Sequence, residues 1–273
     1  MITTTVPSLG DHLRTWRQRR RLSQLDLALD AEISQKHLSF VESGRSSPSR
    51  EMVLTLVEHL EVPLRERNVL LLAAGYAPMF PERSLDDPAL KPARAAMDLV
   101  LKCHEPYPAL AIDRHWTLIA ANAALRPLLA DVSDAALLEP PVNVLRLSLH
   151  PHGLAPLIAN LFEWRAHLLE RVHHQIDITA DPVLSELRRE LVAYPAPSEP
   201  KPSRQPKPDY AGVVVPLQLA TQQGVLSFLS TTTVFGTPVD VTLSELALES
   251  FFPADAFTAE VMRRMGDARA SSA

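Results

Sequence analysis

The chain has 273 residues, of which 46% are hydrophobic and 22% charged, a composition that excludes a disordered chain. No apolar run approaches the roughly 18 residues that a membrane span needs. The first residues lack a secretory signal pattern, and the single cysteine, Cys103, excludes an intrachain disulfide or a thiolate zinc cage. We therefore expect a cytoplasmic protein of one large or two ordinary domains, without membrane association.

The net charge of −5 is unevenly distributed along the chain. Residues 1–83 contain 11 Lys/Arg and 10 Asp/Glu, and five of the arginines fall between Arg14 and Arg21. The acidic excess therefore belongs to the rest of the chain. An acidic average argues against a nucleic-acid partner, but the first segment is compatible with one. Such an arginine cluster is equally typical of a solvated helix face.

Residues 9–75 predict five consecutive short helices. Ser23 and Ser34 stand at N-cap positions before two of them, and Gly44 and Gly75 suit helix ends. The helices that follow Ser23 and Ser34 are joined by the three residues 31–33, the spacing of a helix-turn-helix. An ordinary helical hairpin in a bundle is the alternative.

Gly75 and the four prolines that follow it up to Pro92 predict a domain boundary. Residues 93–273 then predict an α+β domain, a small antiparallel sheet with helices packed on it. Strands are predicted at 108–113, 116–120, 210–219 and 224–233, and helices at 93–103, 154–172, 182–192, 243–250 and 254–265. Asn122 is predicted to cap a short helix. The proline-rich segment 195–208 predicts a linker or a long surface loop.

The segments Gln24–Ala28, Ile33-Ser34 and Phe40–Arg45 resemble Cro/C1-type (XRE) helix-turn-helix regulators. Pro48-Ser49 and Leu70–Pro78 narrow the resemblance to bacterial XRE regulators with an MmyB-like, PAS-fold ligand-binding domain. Later segments match that second domain as well, among them 113–116, 142–146, 215–217 and 237–253. The resemblance covers nearly the whole chain. It implies a five-helix lambda-repressor-like DNA-binding domain at 1–78, a linker at 79–92 and a PAS-like α+β domain at 93–273.

The resemblance also implies which residues face DNA: Gln24, Ser34, Gln35, Lys36, Ser39, Phe40, Arg45 and Ser49. Gln35 and Lys36 lie near the start of the second helix, where base edges of the major groove are expected. Arg45 and Ser49 suit phosphates, and Phe40 suits either a thymine methyl group or packing. The turn often has glycine where this chain has Glu32, and a carboxylate there repels phosphate.

The sequence of the second domain contains no obvious set of catalytic residues. The pairs His150/His152 and His173/His174 do not have the spacing of metal ligands on a helix. Cys103 and His104 are adjacent, so on a helix their side chains point apart and do not form a nucleophile–base pair. No glycine-rich phosphate motif is present. We therefore expect no catalytic residue, no metal and no cofactor.

The resemblance implies instead a pocket for a small hydrophobic ligand, with a fatty acid as the natural guess. We predict its ligand-binding residues as Trp116, Leu118, Leu145, Arg146, Leu149, His150, Leu161, Trp164 and Phe228. Arg146 and His150 are candidates for a carboxylate head group. The alternative roles are core filling for the apolar residues and a surface salt bridge for Arg146.

The sequence thus predicts a homodimeric, sequence-specific transcription regulator whose partners are double-stranded DNA and a small hydrophobic ligand. Two rival functions stay open. One is a DNA-tethered enzyme acting on a small apolar substrate. The other is a ligand-free protein-interaction module.

Overall fold

The computed structural model describes residues 7–195, 214–236 and 238–271. They form two compact units. The first contains residues 7–84 together with 238–244, and the second contains 85–195, 214–236 and 245–271. Within the described residues no helix is long and apolar enough to cross a membrane. Most of the proline-rich segment 195–208 lies outside the described residues.

The first unit confirms the five predicted helices, which are α1 (Leu9–Arg19), α2 (Gln24–Asp30), α3 (Gln35–Glu42), α4 (Arg50–His59) and α5 (Leu64–Ala73). The first four begin at serine N-caps whose hydroxyl oxygens accept a backbone N–H from the first helical turn. All five end in a left-handed residue, after which the next N–H donates to a carbonyl five residues back. Local chemistry thus defines every helix boundary except the start of α5, which lacks a side-chain cap.

The core of the first unit is formed by apolar stripes from all five helices, with members such as Leu13, Trp16, Leu27, Leu38, Val53, Leu56 and Leu70. Helix α1 lies so close to the end of α3 that a Cβ atom on Gly10 would lie 2.3 Å from the carbonyl oxygen of Glu42. Glycine at position 10 is therefore required by this helix approach.

Residues 238–244, distant in sequence, complete the first unit. The Val241 N–H donates to the Pro81 carbonyl at 2.8 Å, and the Thr242 hydroxyl donates to the Arg83 carbonyl at 2.6 Å. The Arg83 guanidinium forms a 2.8 Å salt bridge with Asp240, whose side chain is 2% exposed. The first unit is thus not a purely N-terminal segment.

The second unit contains a five-stranded antiparallel sheet in the order β2-β1-β5-β4-β3. Its strands are β1 (Ala109–Ile112), β2 (Leu118–Ala121), β3 (Leu217–Thr221), β4 (Gly224–Val234) and β5 (Ala247–Pro253). The central strand β5 pairs with β1 on one side and β4 on the other. This arrangement confirms the α+β class and the antiparallel PAS-like sheet.

Helices pack on this sheet as α6 (Lys91–Cys103), α7 (Val144–Leu149), α8 (Leu161–Thr179), α9 (Pro182–Ala193) and α10 (Ala256–Ala270). Side chains of β1 alternate between the two faces of the sheet, and each face packs against a different hydrophobic cluster. Leu110 and Ile112 join the cluster that contains residues of α7, α8 and α9, whereas Ala109 and Ala111 join Met97 of α6. Short 3-10 helices at Arg126–Leu129 and Ala135–Leu138 follow β2.

Three local predictions in this unit are wrong. Residues 247–250 are strand, not helix, because they pair with two neighbouring strands that lie far away in sequence. Asn122 caps no helix; it is buried, accepts the Ala109 N–H, and donates to the Leu101 and Tyr107 carbonyls. The long helix begins at Leu161 rather than 154, since Ile158 bridges to Leu219 of β3 in extended form.

Candidate functional sites

The start of helix α3 presents a polar surface. Gln35 and Lys36 are exposed and Ser39 is half-buried, while Leu38 and Val41 of the same helix are buried in the core. The Ser34 hydroxyl accepts the His37 N–H at 3.1 Å and so fixes where the helix begins. Ser49 does the same for α4, accepting the Met52 N–H at 3.2 Å. Two of the three serines predicted to face DNA, Ser34 and Ser49, are therefore helix caps as well.

Phe40 is a half-buried aromatic residue on this polar surface. It is not part of the core cluster of the first unit. The Lys36 ammonium lies 5.6 Å and the Arg45 guanidinium 5.9 Å from the centre of its ring. Arg45 is exposed, and its backbone N–H donates to the Phe40 carbonyl at 2.8 Å. Three of the predicted DNA-facing residues thus form one cluster.

Behind α3, the buried carboxylate of Glu42 joins the first three helices. Arg17 of α1 donates to it from Nε at 2.6 Å and from Nη2 at 3.0 Å, and Gln24 of α2 donates at 2.8 Å. Burial alone raises the pKa of Glu42, but the hydrogen bonds from Arg17 and Gln24 and the charges of Arg17 and Arg14 outweigh it. The pKa of this carboxyl therefore lies below its usual range. The amide of Gln24, predicted to face DNA, donates to this buried carboxylate instead.

The arginine cluster of α1 is largely structural. Besides the contact of Arg17 with Glu42, Arg14 donates to the Glu42 carbonyl at 3.1 Å. Arg20 donates to the carbonyls of Leu60 and Glu61 at 2.9 Å each, where α4 ends. These arginines stabilise helix packing and a helix C-terminus. Because these arginines are engaged in contacts within the unit, their clustering in the sequence is only weak support for a phosphate-binding surface.

The turn between α2 and α3 contains Glu32, at the position where the resembling regulators often have glycine. Glu32 adopts φ 55°, the left-handed conformation in which glycine is favoured, and its side chain is exposed. The loop after α3 is fixed by a contact that sequence patterns do not indicate. The Tyr76 hydroxyl donates to the Pro48 carbonyl at 2.9 Å.

The second unit contains an apolar cavity of about 660 Å³, partly open to solvent. It lies between β2 and the two 3-10 helices that follow it, and its lining residues are Leu118, Arg126, Pro127, Leu129, Ala130, Val132, Ala135, Leu138 and Val142. Arg126 is the charged residue of this lining; it is exposed and forms no salt bridge with any described residue. The volume falls within the roughly 300–1,000 Å³ of small-molecule sites.

Of the nine residues predicted to bind a ligand, Leu118 lines this cavity. Trp116, Leu145, Leu149 and Trp164 are buried in the core with α8 and α9, and Leu161 packs against it. The indole N–H groups are already paired, because Trp116 donates to Gln175 at 2.8 Å and Trp164 to Ser148 at 3.0 Å. Phe228 belongs to a further cluster with Val261 and Met262 of α10. The structure places all of these except Leu118 away from the cavity lining.

The predicted head-group residues are placed elsewhere too. Arg146 forms a bidentate salt bridge with Glu190 of α9, its Nη2 atom 2.8 Å from the carboxylate. Hydrogen bonds from Arg146 lower the pKa of Glu190 below its usual range, and burial raises the pKa of the neighbouring Tyr194 to about 12. The His150 ring stacks edge-on against Tyr194 and accepts the His152 N–H. Arg126, which the sequence reasoning missed, is the cation at the cavity.

A further polar cluster supports the loop between β1 and β2. His115 contacts Asp181 at 2.8 Å, and Gln175 donates to the Arg114 carbonyl at 2.8 Å. Burial alone raises the pKa of Asp181. The hydrogen bonds from His115 and the Val183 N–H and the nearby charge of Arg114 outweigh burial, so this pKa lies below its usual range. The predicted motif 113–116 thus anchors the hairpin to α8 and α9. Within the described residues no cluster of His, Cys, Asp and Glu has the composition of a metal site.

Two family models match the chain. A helix-turn-helix domain matches residues 8–70, which contain the α2–α3 pair. The MmyB-like transcription regulator ligand binding domain matches residues 93–265, more than half of the chain. The chain therefore belongs to the MmyB-like transcription regulators, proteins that combine a helix-turn-helix domain with a ligand-binding domain.

A comparison with curated proteins finds no match. Among solved structures, the clp gene regulator ClgR from Corynebacterium glutamicum is similar at 24% identity, over 36% of this chain and 90% of that one, with a TM-score of 0.22. An RNA-binding light-oxygen-voltage receptor is similar at 14% identity, over 98% of this chain and 65% of that one, with a TM-score of 0.23.

Proposed function

We propose that this protein is a sequence-specific XRE-type regulator that binds operator DNA as a homodimer and senses a small apolar ligand carrying an acidic head group. It acts in the cytoplasm, where the chromosome is, and it needs no catalytic step. The observation that supports the sensing half is the apolar 660 Å³ cavity with Arg126 at its lining. A fatty acid is the first candidate ligand.

The DNA half is supported by the geometry of α3. Its first turn presents Gln35 and Lys36 to solvent, and these side chains carry the amide and ammonium groups that read base edges. The opposite face of α3 is fixed by its buried apolar residues and by Glu42. A rigidly held helix with a free polar face is what insertion into a major groove requires.

The DNA test starts from duplexes enriched from a random pool by the full-length protein. The double variant Gln35→Ala/Lys36→Ala should lose most of the specific affinity, because these two side chains offer the most direct base contacts. Gln18→Ala, an exposed glutamine on α1, is the matched control. Undiminished specific binding by the double variant would contradict the assignment of α3 as the reading helix.

In the proposed complex, the hydrocarbon chain of the ligand lies in the apolar cavity and its carboxylate binds the Arg126 guanidinium. A charge-assisted bond of this kind contributes about 1.5–3 kcal/mol, or roughly ten- to hundredfold in Kd. A tetradecanoic acid should therefore bind more tightly than tetradecanol, and Arg126→Met should remove most of that difference.

The matched control for Arg126 is Arg146→Met. Arg146 is the arginine that sequence reasoning favours, but its guanidinium already pairs with Glu190. Calorimetry of the full chain with the acid and the alcohol measures both variants. Equal effects of the two substitutions, or an acid preference that survives Arg126→Met, would refute the head-group assignment.

Native mass spectrometry of the purified protein separates the rival functions. A co-purifying apolar acid supports the sensor, and turnover of that molecule would instead support an enzyme. Persistent absence of any bound molecule, with no binding of the test acids, would favour an interaction module. Regulation further requires that the ligand has different affinities for the DNA-competent state and the other states.

A further inference from the structure

The ring of Phe40 is an unusual feature of the proposed DNA-reading surface. Its helix neighbours Leu38 and Val41 are 0% and 2% exposed and fill the core, whereas Phe40 is half-buried and lies outside that core. The exposed residues in the first turn of the helix, Gln35 and Lys36, are polar. A large apolar side chain at this position is therefore not explained by the packing of the first unit.

Two cations lie near the ring. Lys36, one helical turn earlier, places its ammonium 5.6 Å from the ring centre, and Arg45, beyond the helix end, places its guanidinium at 5.9 Å. Arg45 is itself positioned by the hydrogen bond from its N–H to the Phe40 carbonyl. These contacts restrict the ring and both cations together, which lowers the ordering cost of a later binding event.

We propose that Phe40 is a specificity-determining residue that packs against the C5 methyl group of thymine in the major groove. This inference rests on the proposed DNA-binding function. The thymine methyl is the apolar group among the hydrogen-bonding base edges of the major groove, so an apolar ring recognises it. Phosphates line both sides of the groove, and Lys36 and Arg45 supply positive charge next to the ring.

The test uses duplexes enriched by the full-length protein and replaces each thymine in turn by deoxyuridine, which lacks only the methyl group. At one position in each half-site, this replacement should weaken binding of the wild-type protein about fourfold, the value for one buried methyl-sized group. Phe40→Ala should bind the thymine and deoxyuridine duplexes equally. Phe40→Leu, which keeps an apolar surface, should retain part of the methyl dependence.

Leu29→Ala is the matched control, because Leu29 is another large apolar residue of the helix pair that lies outside the core, 67% exposed on α2. It should leave the methyl dependence unchanged. The proposal is overturned if no deoxyuridine substitution weakens wild-type binding, or if Phe40→Ala keeps the same dependence. The same holds if Phe40→Ala changes only the oligomeric state, since the ring would then contact a second copy. Failure to enrich any duplex would instead refute the proposed DNA-binding function itself.

Discussion

The buried carboxylate of Glu42 offers the sharpest test of how the DNA-binding unit is held together. Its side chain is 1% exposed and accepts three hydrogen bonds, two from Arg17 and one from Gln24. Glu42→Ala removes all three. Among the described residues, the guanidinium of Arg17, whose side chain is 11% exposed, then keeps its hydrogen bond to the Leu22 carbonyl at 2.9 Å and loses its carboxylate partner.

Breaking a buried ion pair on one side costs about 3–5 kcal/mol, because the remaining charge stays buried without its partner. A unit of this size has a free energy of unfolding of only about 4–12 kcal/mol. Glu42→Ala should therefore remove about a quarter or more of the stability of the first unit. Glu42→Gln keeps the shape and one acceptor, so its loss should be nearer 1.5–3 kcal/mol, about the value of a charged hydrogen bond.

Hydrogen exchange of the full-length protein measures this effect in the first unit alone, through peptides that cover α1 and α3. At neutral pH, Glu42→Ala should accelerate exchange of the most protected amides by about 100-fold or more. Asp30→Asn, which changes an exposed carboxylate on α2, is the matched control and should stay within about 0.5 kcal/mol of wild type.

The lowered pKa of Glu42 also predicts a pH dependence. Because the folded pKa lies below the unfolded value, the stabilisation is fully present above the unfolded pKa and is lost as the pH falls through the folded one. Stability should therefore fall on acidification more steeply in wild type than in Glu42→Gln. A difference between the two proteins that stays constant from pH 7 to 3, or a Glu42→Ala loss below about 1 kcal/mol, would refute this reasoning.

Three further predictions concern single residues. Glu32→Gly should stabilise the protein by up to about 1 kcal/mol in urea unfolding, since glycine relieves the left-handed strain at φ 55°; a lower stability would contradict this. Asp240→Asn should destabilise the first unit by about 1–3 kcal/mol by breaking its bond to Arg83, and unchanged exchange in α5 would argue against that role. Asn122→Ala should cost at least about 3 kcal/mol in thermal unfolding, because three backbone groups lose their partner; a loss near zero would show that water replaces the amide.

The first unit was predictable from sequence because its boundaries are local. Each serine cap lies three residues from the N–H group that it accepts. Each left-handed residue lets the next N–H donate to a carbonyl only five residues back. The polar face of α3 follows from helical periodicity for the same reason. The function of the arginine cluster did not follow, since Arg17 and Arg20 pair with groups 25 and 40 residues away.

The sheet was predictable only in part. Residues 247–250 have the composition of a helix, yet they form the centre of the sheet because β1 and β4 supply hydrogen bonds on both sides. Glu249 is 4% exposed there, and it is stabilised by Arg171, 78 residues earlier. Side-chain burial of this kind has no signature in the local sequence.

The candidate ligand site was decided by tertiary structure. The sequence supplied apolar residues and arginines, and by itself it determined the two-domain regulator, the helix-turn-helix and the α+β class. It did not distinguish a tryptophan that fills a core from one that lines a cavity. The fold made that distinction by packing α7, α8 and α9 over Trp116 and Trp164 and by leaving space beside Arg126. A cavity is the volume that packing leaves empty, so its position depends on contacts between distant segments rather than on any one of them.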